Sequence, residues 1–416
     1  MKLIIFLVFF FAEVVLEAGA GLQSVIFTGL SLKNLLLIGL LVAVFYKKNK
    51  VRKLTYLPAI NKLVSIFSFF TLYALLITIM ASSFFVSWNY DTVTALISWK
   101  GIVLDGICGL LVYALLVQGE YRSKQLIIYM VYVLAFMGLL TMTEAILHVP
   151  QLFGVDDNSI RPNGPMGEPN QSAVIYAMLV PLCFSFIFTQ RRPWIFIICL
   201  GVVLTTILLT GSRGGMLSAA LAMIVFLGFG QRYINVSNKI KMLLMAPVVL
   251  MAAWFVVPAE MIEQLVGRIF AYQDKGADID ELSAGRTYLW RLAYDIWIQS
   301  PILGSGWDSF KMYYHMATHN TLLQILTDLG VFGFGLYILL IYRLLYVPWR
   351  LFKHAKNKNQ KLIFLGIFCS FLALFFAVFF VNLYKSWLVA WMLIGACLGY
   401  SNSWYQALLA EAKNKR

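Results

Sequence analysis

Apolar residues in this chain gather into runs near 20 positions long, separated by short breaks rich in Lys, Arg, Gly and Pro. Each run is long enough to cross a hydrocarbon core of about 30 Å as an α-helix, whereas a membrane β-barrel would alternate at every second residue. The pattern predicts spans at 2–18, 26–46, 62–85, 94–118, 125–147, 171–189, 195–211, 214–230, 242–258, 320–346, 362–383 and 386–403. The expected fold class is therefore all-α: a polytopic membrane protein of about 12 transmembrane helices, forming one transmembrane domain over residues 1–416. Two breaks stand apart from the rest. Residues 148–171 are dense in Pro, Gly and Asn, which predicts tight turns folded back on the helix ends. Residues 259–319 form the one large loop, with an amphipathic stretch at 261–272, an acidic tip and a helix over 284–300. That helix sets Tyr288, Leu289, Leu292, Ile296 and Trp297 on one face and is stopped by Pro301.

Composition agrees with the pattern. Hydrophobic residues make up 61% of the 416 and charged residues 12%, about half the charge of a soluble domain. The net charge of +14 would suit a polyanion binder, but most of the Lys and Arg fall in every second short loop. The positive-inside bias accounts for that placement without a nucleic-acid partner. It puts both termini in the cytoplasm and the two unusual loops on the outer face. Met1-Lys2 and the apolar run behind it resemble a signal peptide, yet Glu13 and Glu17 interrupt the run, so it reads as a retained first span. All five cysteines lie in apolar runs without metal-ligand spacing, which predicts packing residues, no metal site and no disulfide framework.

Candidate chemistry collects in the outer breaks. Arg213 stands in Thr210-Gly211-Ser212-Arg213-Gly214-Gly215 between two apolar runs, where a cation, small neighbours and a helix start would cradle an anion. The competing reading is a tight turn whose arginine snorkels to the interface. Arg286 opens the loop helix, and its planar fork suits phosphate oxygens; the alternative is a solvated cation paired with Glu281. Arg291 falls on a different helical face and reads as structural. His319 stands where the loop re-enters the membrane, either as an interfacial or capping residue or as a neutral base able to take a proton from a sugar hydroxyl. A carboxylate, Asp308 or Glu168, would raise its pKa, and the two arginines would lower it.

Four motifs occur in order: Gly211-Ser212-Arg213-Gly214, Gly285-Arg286-x-x-x-Trp290, Gly304-x-Gly306-Trp307, and His319-Asn320-x9-Gly330-x-x-Gly333, preceded by Gly164-x-x-Gly167-Glu168-Pro169-Asn170. In this combination the chain resembles the O-antigen ligase and O-antigen polymerase superfamily. The resemblance implies a C-type, metal-independent glycosyltransferase of the bacterial inner membrane, with its active site facing the periplasm or exterior and no cofactor. It implies en bloc transfer of a glycan from undecaprenyl pyrophosphate to an acceptor hydroxyl on lipid A core or a related surface glycan. By motif, Arg213, Arg286 and His319 would be catalytic, Arg213, Arg286 and Gly214 would hold the pyrophosphate, and Asn320, Arg161 and Asn170 would lie on the acceptor side. A polymerase of the same superfamily is the close alternative. A lipid-linked oligosaccharide transporter is the rival of another class, although the polar residues gather at one surface and not at the midplane.

Overall fold

A computed structural model describes residues 58–84, 90–116, 120–147, 161–235, 285–382 and 387–414, together with isolated positions 38, 39, 42, 263 and 283. Its elements are α1 (Pro58–Phe84), α2 (Thr92–Leu116), α3 (Glu120–Leu147), a 3₁₀ turn (Gly164–Met166), α4 (Pro169–Thr189), α5 (Pro193–Leu209), α6 (Arg213–Gly230), α7 (Arg286–Trp297), α8 (Ser309–Tyr314), α9 (Thr321–His354), α10 (Lys358–Ala377) and α11 (Trp387–Asn414). Among the described residues there is no strand. Among the described residues, seven helices are long and apolar enough to cross a membrane, and α5 is a shorter apolar helix.

Nine predicted spans coincide with α1 to α6 and α9 to α11. The spans at 2–18 and 242–258 lie outside the described residues, as does all but positions 38, 39 and 42 of the span at 26–46. The amphipathic stretch at 261–272 and the acidic tip also lie outside them, apart from position 263.

The core sits where α10 lies along α4, α6 and α9, while α11 packs on α2 and α3. Small residues permit the tightest crossings, as membrane helices require when hydrophobicity alone cannot hold them together. A Cβ on Gly215 would stand 2.5 Å from that of Ala173, which brings α6 onto α4. All five cysteines are buried, consistent with packing roles.

The predicted span at 320–346 is one helix in the expectation and two in the structure. Gly330 takes φ 63° and ψ −170° and breaks α9. The chain from Pro301 to Gly306 passes into the break: Val331 N–H donates to Pro301 O at 2.9 Å, Ser305 N–H to Thr327 O at 3.0 Å, and Gly306 N–H to Asp328 O at 2.9 Å. Non-helical backbone buried in a bundle must find such partners. A Cβ on Gly304 would collide with the Asp328 carbonyl, and one on Gly330 with the Ile302 carbonyl. The glycine motifs therefore build this crossing and do not touch the candidate catalytic residues directly. Tyr73 fastens it from α1 by donating from its hydroxyl toward Leu303 O and Leu329 O.

Helix directions separate two ends. Arg213, the 161–170 segment and the 285–320 loop share one end. At the other, Lys361 lies 4.9 Å from the ring of Tyr233 and Lys353 5.1 Å from that of Trp349, so cations there rest on aromatic faces.

Candidate functional site

Arg213 is the first residue of α6, and its N-cap Ser212 accepts from the Gly215 N–H at 3.3 Å. Glycine is required at 214 for packing, because a Cβ there would stand 2.9 Å from that of Phe380. The side chain of Arg213 is exposed and has no hydrogen-bond partner among the described residues. The turn beneath it is held from the preceding loop. Arg161 donates through Nε to Thr210 O at 2.6 Å and through Nη2 to Asn170 Oδ1 at 3.2 Å, while Asn170 donates to Glu168 Oε1 at 3.2 Å. Arg161 and Asn170 thus spend these donors fixing the Arg213 turn and aiming the Glu168 carboxylate.

Arg286 opens α7 behind Gly285, whose φ of 77° suits glycine. Leu289, Ala293 and Ile296 bury one stripe of α7 against Phe310 of α8. The Arg286 guanidinium is half-buried and faces Arg213 and Glu168. Burial pulls its pKa down, the Arg213 charge adds to that, and Glu168 opposes it. The alternative partner, Glu281, lies outside the described residues.

His319 occupies a left-handed turn, φ 51°, immediately before α9. It is not the cap: Asn320 is, accepting through Oδ1 from Leu322 N–H at 3.0 Å and Leu323 N–H at 3.1 Å. Asn320 is therefore placed as a buried structural cap. Burial lowers the pKa of His319, Arg286 lowers it further, and Glu168 raises it. A neutral imidazole follows at pH 7 from the first two causes together. The carboxylate acting on it is Glu168. Asp308 does not act on the ring: its backbone N–H donates to Asp328 Oδ2 at 2.9 Å, and its carboxylate lies in the field of Asp328. His315 ends α8 as an exposed residue, separated from His319 by a further turn.

Beneath the histidine runs a buried polar network that sequence reasoning did not find. Gln324 donates toward both Asp328 oxygens at 3.2 Å, and Ser309 Oγ donates to Asp328 Oδ1 at 2.9 Å. Thr318 Oγ1 lies 3.2 Å from Gln324 Oε1 and 3.1 Å from Asn382 Oδ1, and the Thr318 carbonyl accepts from Trp290 Nε1 at 3.2 Å. Thr321, Gln324 and Asp328 fall on one stripe of an otherwise apolar half-helix, a signal that was available in the spacing.

The structure thus brings Arg213, Arg286, His319 and Glu168 into one electrostatic neighbourhood at one end of the bundle, held by Arg161, Asn170 and Asn320. A half-buried guanidinium beside an exposed one, with a carboxylate near, is an arrangement in which an anion could be bound by paired N–H donors. Among the described residues no cluster of three metal-ligating side chains occurs.

The family model described as O-antigen ligase matches residues 198–338, a stretch that contains Arg213, Arg286 and His319. No curated protein matches the chain. The match makes residues 198–338 similar to the O-antigen ligase family, and seven of the described helices are long and apolar enough to cross a membrane.

Proposed function

We propose that this protein is an O-antigen ligase-like glycosyltransferase that moves a glycan en bloc from undecaprenyl pyrophosphate to an acceptor hydroxyl at the outer face of the bacterial inner membrane. The observation that carries the reading is the facing of Arg213 and Arg286 beside a half-buried His319, inside the stretch that matches the family.

In this reading the two guanidiniums and the Gly214 end of α6 hold the pyrophosphate. They stabilise the charge that develops as the anomeric C–O bond breaks and its electron pair leaves with the phosphate. The acceptor oxygen bonds to the anomeric carbon, and its proton passes to the unprotonated ring nitrogen of His319. Pyrophosphate is a good leaving group held by arginine forks, so the reaction needs neither metal nor cofactor. Arg161, Asn170 and Asn320 support the site from behind.

Glycolipid analysis of a deletion strain separates the alternatives. Loss of a ligase leaves long polymer on undecaprenyl pyrophosphate and bare acceptor, whereas loss of a polymerase leaves single repeat units. A transporter deletion would strand the lipid-linked glycan on the cytoplasmic leaflet, and that outcome would overturn the proposal.

A further inference from the structure

Resting on that reading, we infer that Trp290 is a positioning residue: its indole N–H, donated to the Thr318 carbonyl, sets the place of Arg286 relative to His319. Trp290 lies four residues after Arg286 on α7, so both project from the same side of that helix. Thr318 is the residue before His319 and is fully buried. The 3.2 Å bond from Trp290 Nε1 to Thr318 O is a direct tie between the arginine's helix and the histidine's turn, which are 28 residues apart in sequence.

The receiving end of this strut is rigid. Thr318 Oγ1 is within 2.9 Å of Asn320 O and within hydrogen-bond reach of Gln324 and Asn382, and Gln324 is itself bound to Asp328. Asn382 belongs to the segment after α10, whose Val378 and Val381 carbonyls accept from Thr321 N–H and Oγ1. Thr318 is therefore held through its hydroxyl by the start of α9 and by the segment after α10. Leu289, Ala293 and Ile296 pack the helix against Phe310, and Thr327 Oγ1 reaches Ala293 O at 3.4 Å one turn further along, so the Trp290 N–H is the tie that joins the first turns of α7 to the residue before His319. Tolerances at such sites are narrow, because a displacement of about 1 Å from the productive geometry costs on the order of 100-fold in rate.

The groups facing His319 set what a slack strut would do. Arg286 on α7 lowers its pKa together with burial, Glu168 before α4 raises it, and Arg213 at the start of α6 acts on Arg286. If α7 drifts, burial and the Arg286 field both weaken while Glu168 stays, and every change moves the imidazole pKa upward.

The test is Trp290→Phe in the purified, full-length protein, with replacement of the same indole by the isosteric benzothiophene side chain, which keeps the ring and lacks the N–H. Two readouts are taken: kcat and KM for glycan transfer, and the His319 titration by NMR with labelled histidine. Four histidines are present in all, and His319→Gln assigns the signal. The expected result is a fall in kcat of about tenfold or more in both variants, and a His319 pKa shifted toward the ordinary value near 6.5. An unchanged kcat and titration in the benzothiophene variant would overturn the strut, even if Trp290→Phe fails to fold. A titration that shifts in a protein with no transfer activity would instead uphold the strut and refute the transferase reading.

Discussion

Burial and the Arg213 charge both disfavour the charged form of Arg286, a conflict that Glu168 eases and a bound anion would ease further. Arginine offers paired donors in a fixed plane, and lysine keeps only the charge. Arg213→Lys is therefore expected to cut transfer at least about tenfold, roughly 1.4 kcal/mol, with the protein still in the membrane. Steady-state rates on matched amounts of membrane protein check this, and full activity would make Arg213 a snorkelling residue. For His319 the sign is set by burial first and Arg286 second, which hold the ring neutral to lower pH than a free imidazole. Activity should rise with pH through a value below 6.5, and His319→Ala should remove that limb. A His319→Gln variant active at every pH would show that the side chain orients the acceptor and takes no proton. The motifs made these three residues legible before any coordinates. Glu168 was legible only as one of two possible carboxylates, because a charge effect between residues 151 positions apart depends on packing that no local pattern encodes. Arg161, Asn170 and Asn320 were expected on the acceptor side, and their supporting bonds emerged only from the fold.

Apolar run length located nine helices well, since a membrane leaves a spanning segment few other ways to satisfy its backbone. It did not reveal that α9 is broken. Gly330 stands as a motif glycine inside one predicted span, and only the approach of Pro301 to Gly306 makes it a crossing point. The polar stripe of Thr321, Gln324 and Asp328 was visible in the spacing, but its partners Thr318, Ser309 and Asn382 come from three different segments. The crossing predicts that Gly304→Ala, which drives a methyl group into the Asp328 carbonyl, destabilises the protein by about 1–3 kcal/mol or more through overpacking and strain at a φ of 86°. Thermal unfolding in detergent measures it. An unchanged melting temperature would mean that the crossing is loose. By contrast, Gly335 has open space where its Cβ would be, and Gly335→Ala should be silent or slightly stabilising.

Across the whole molecule, the candidate site and the aromatic-backed cations occupy opposite ends, the arrangement that the loop charges anticipated. With all five native cysteines buried, single introduced cysteines can report sidedness cleanly. Cysteine at the exposed Gln299 should react with an impermeant reagent from outside intact cells, and cysteine at the exposed Lys353 should not. Labelling at 353 alone would invert the orientation and remove the site from the face where a lipid-linked glycan is consumed. Transfer of a glycan from a pyrophosphate carrier at this site is measured by supplying the purified protein with polyprenyl-pyrophosphate-linked glycan and a glycolipid acceptor in the presence of a metal chelator. The account predicts intact glycan on the acceptor, stoichiometric release of polyprenyl pyrophosphate, and loss of both in Arg286→Ala and His319→Ala. Donor left unconsumed by folded wild-type protein, or transfer undiminished in both variants, would contradict it.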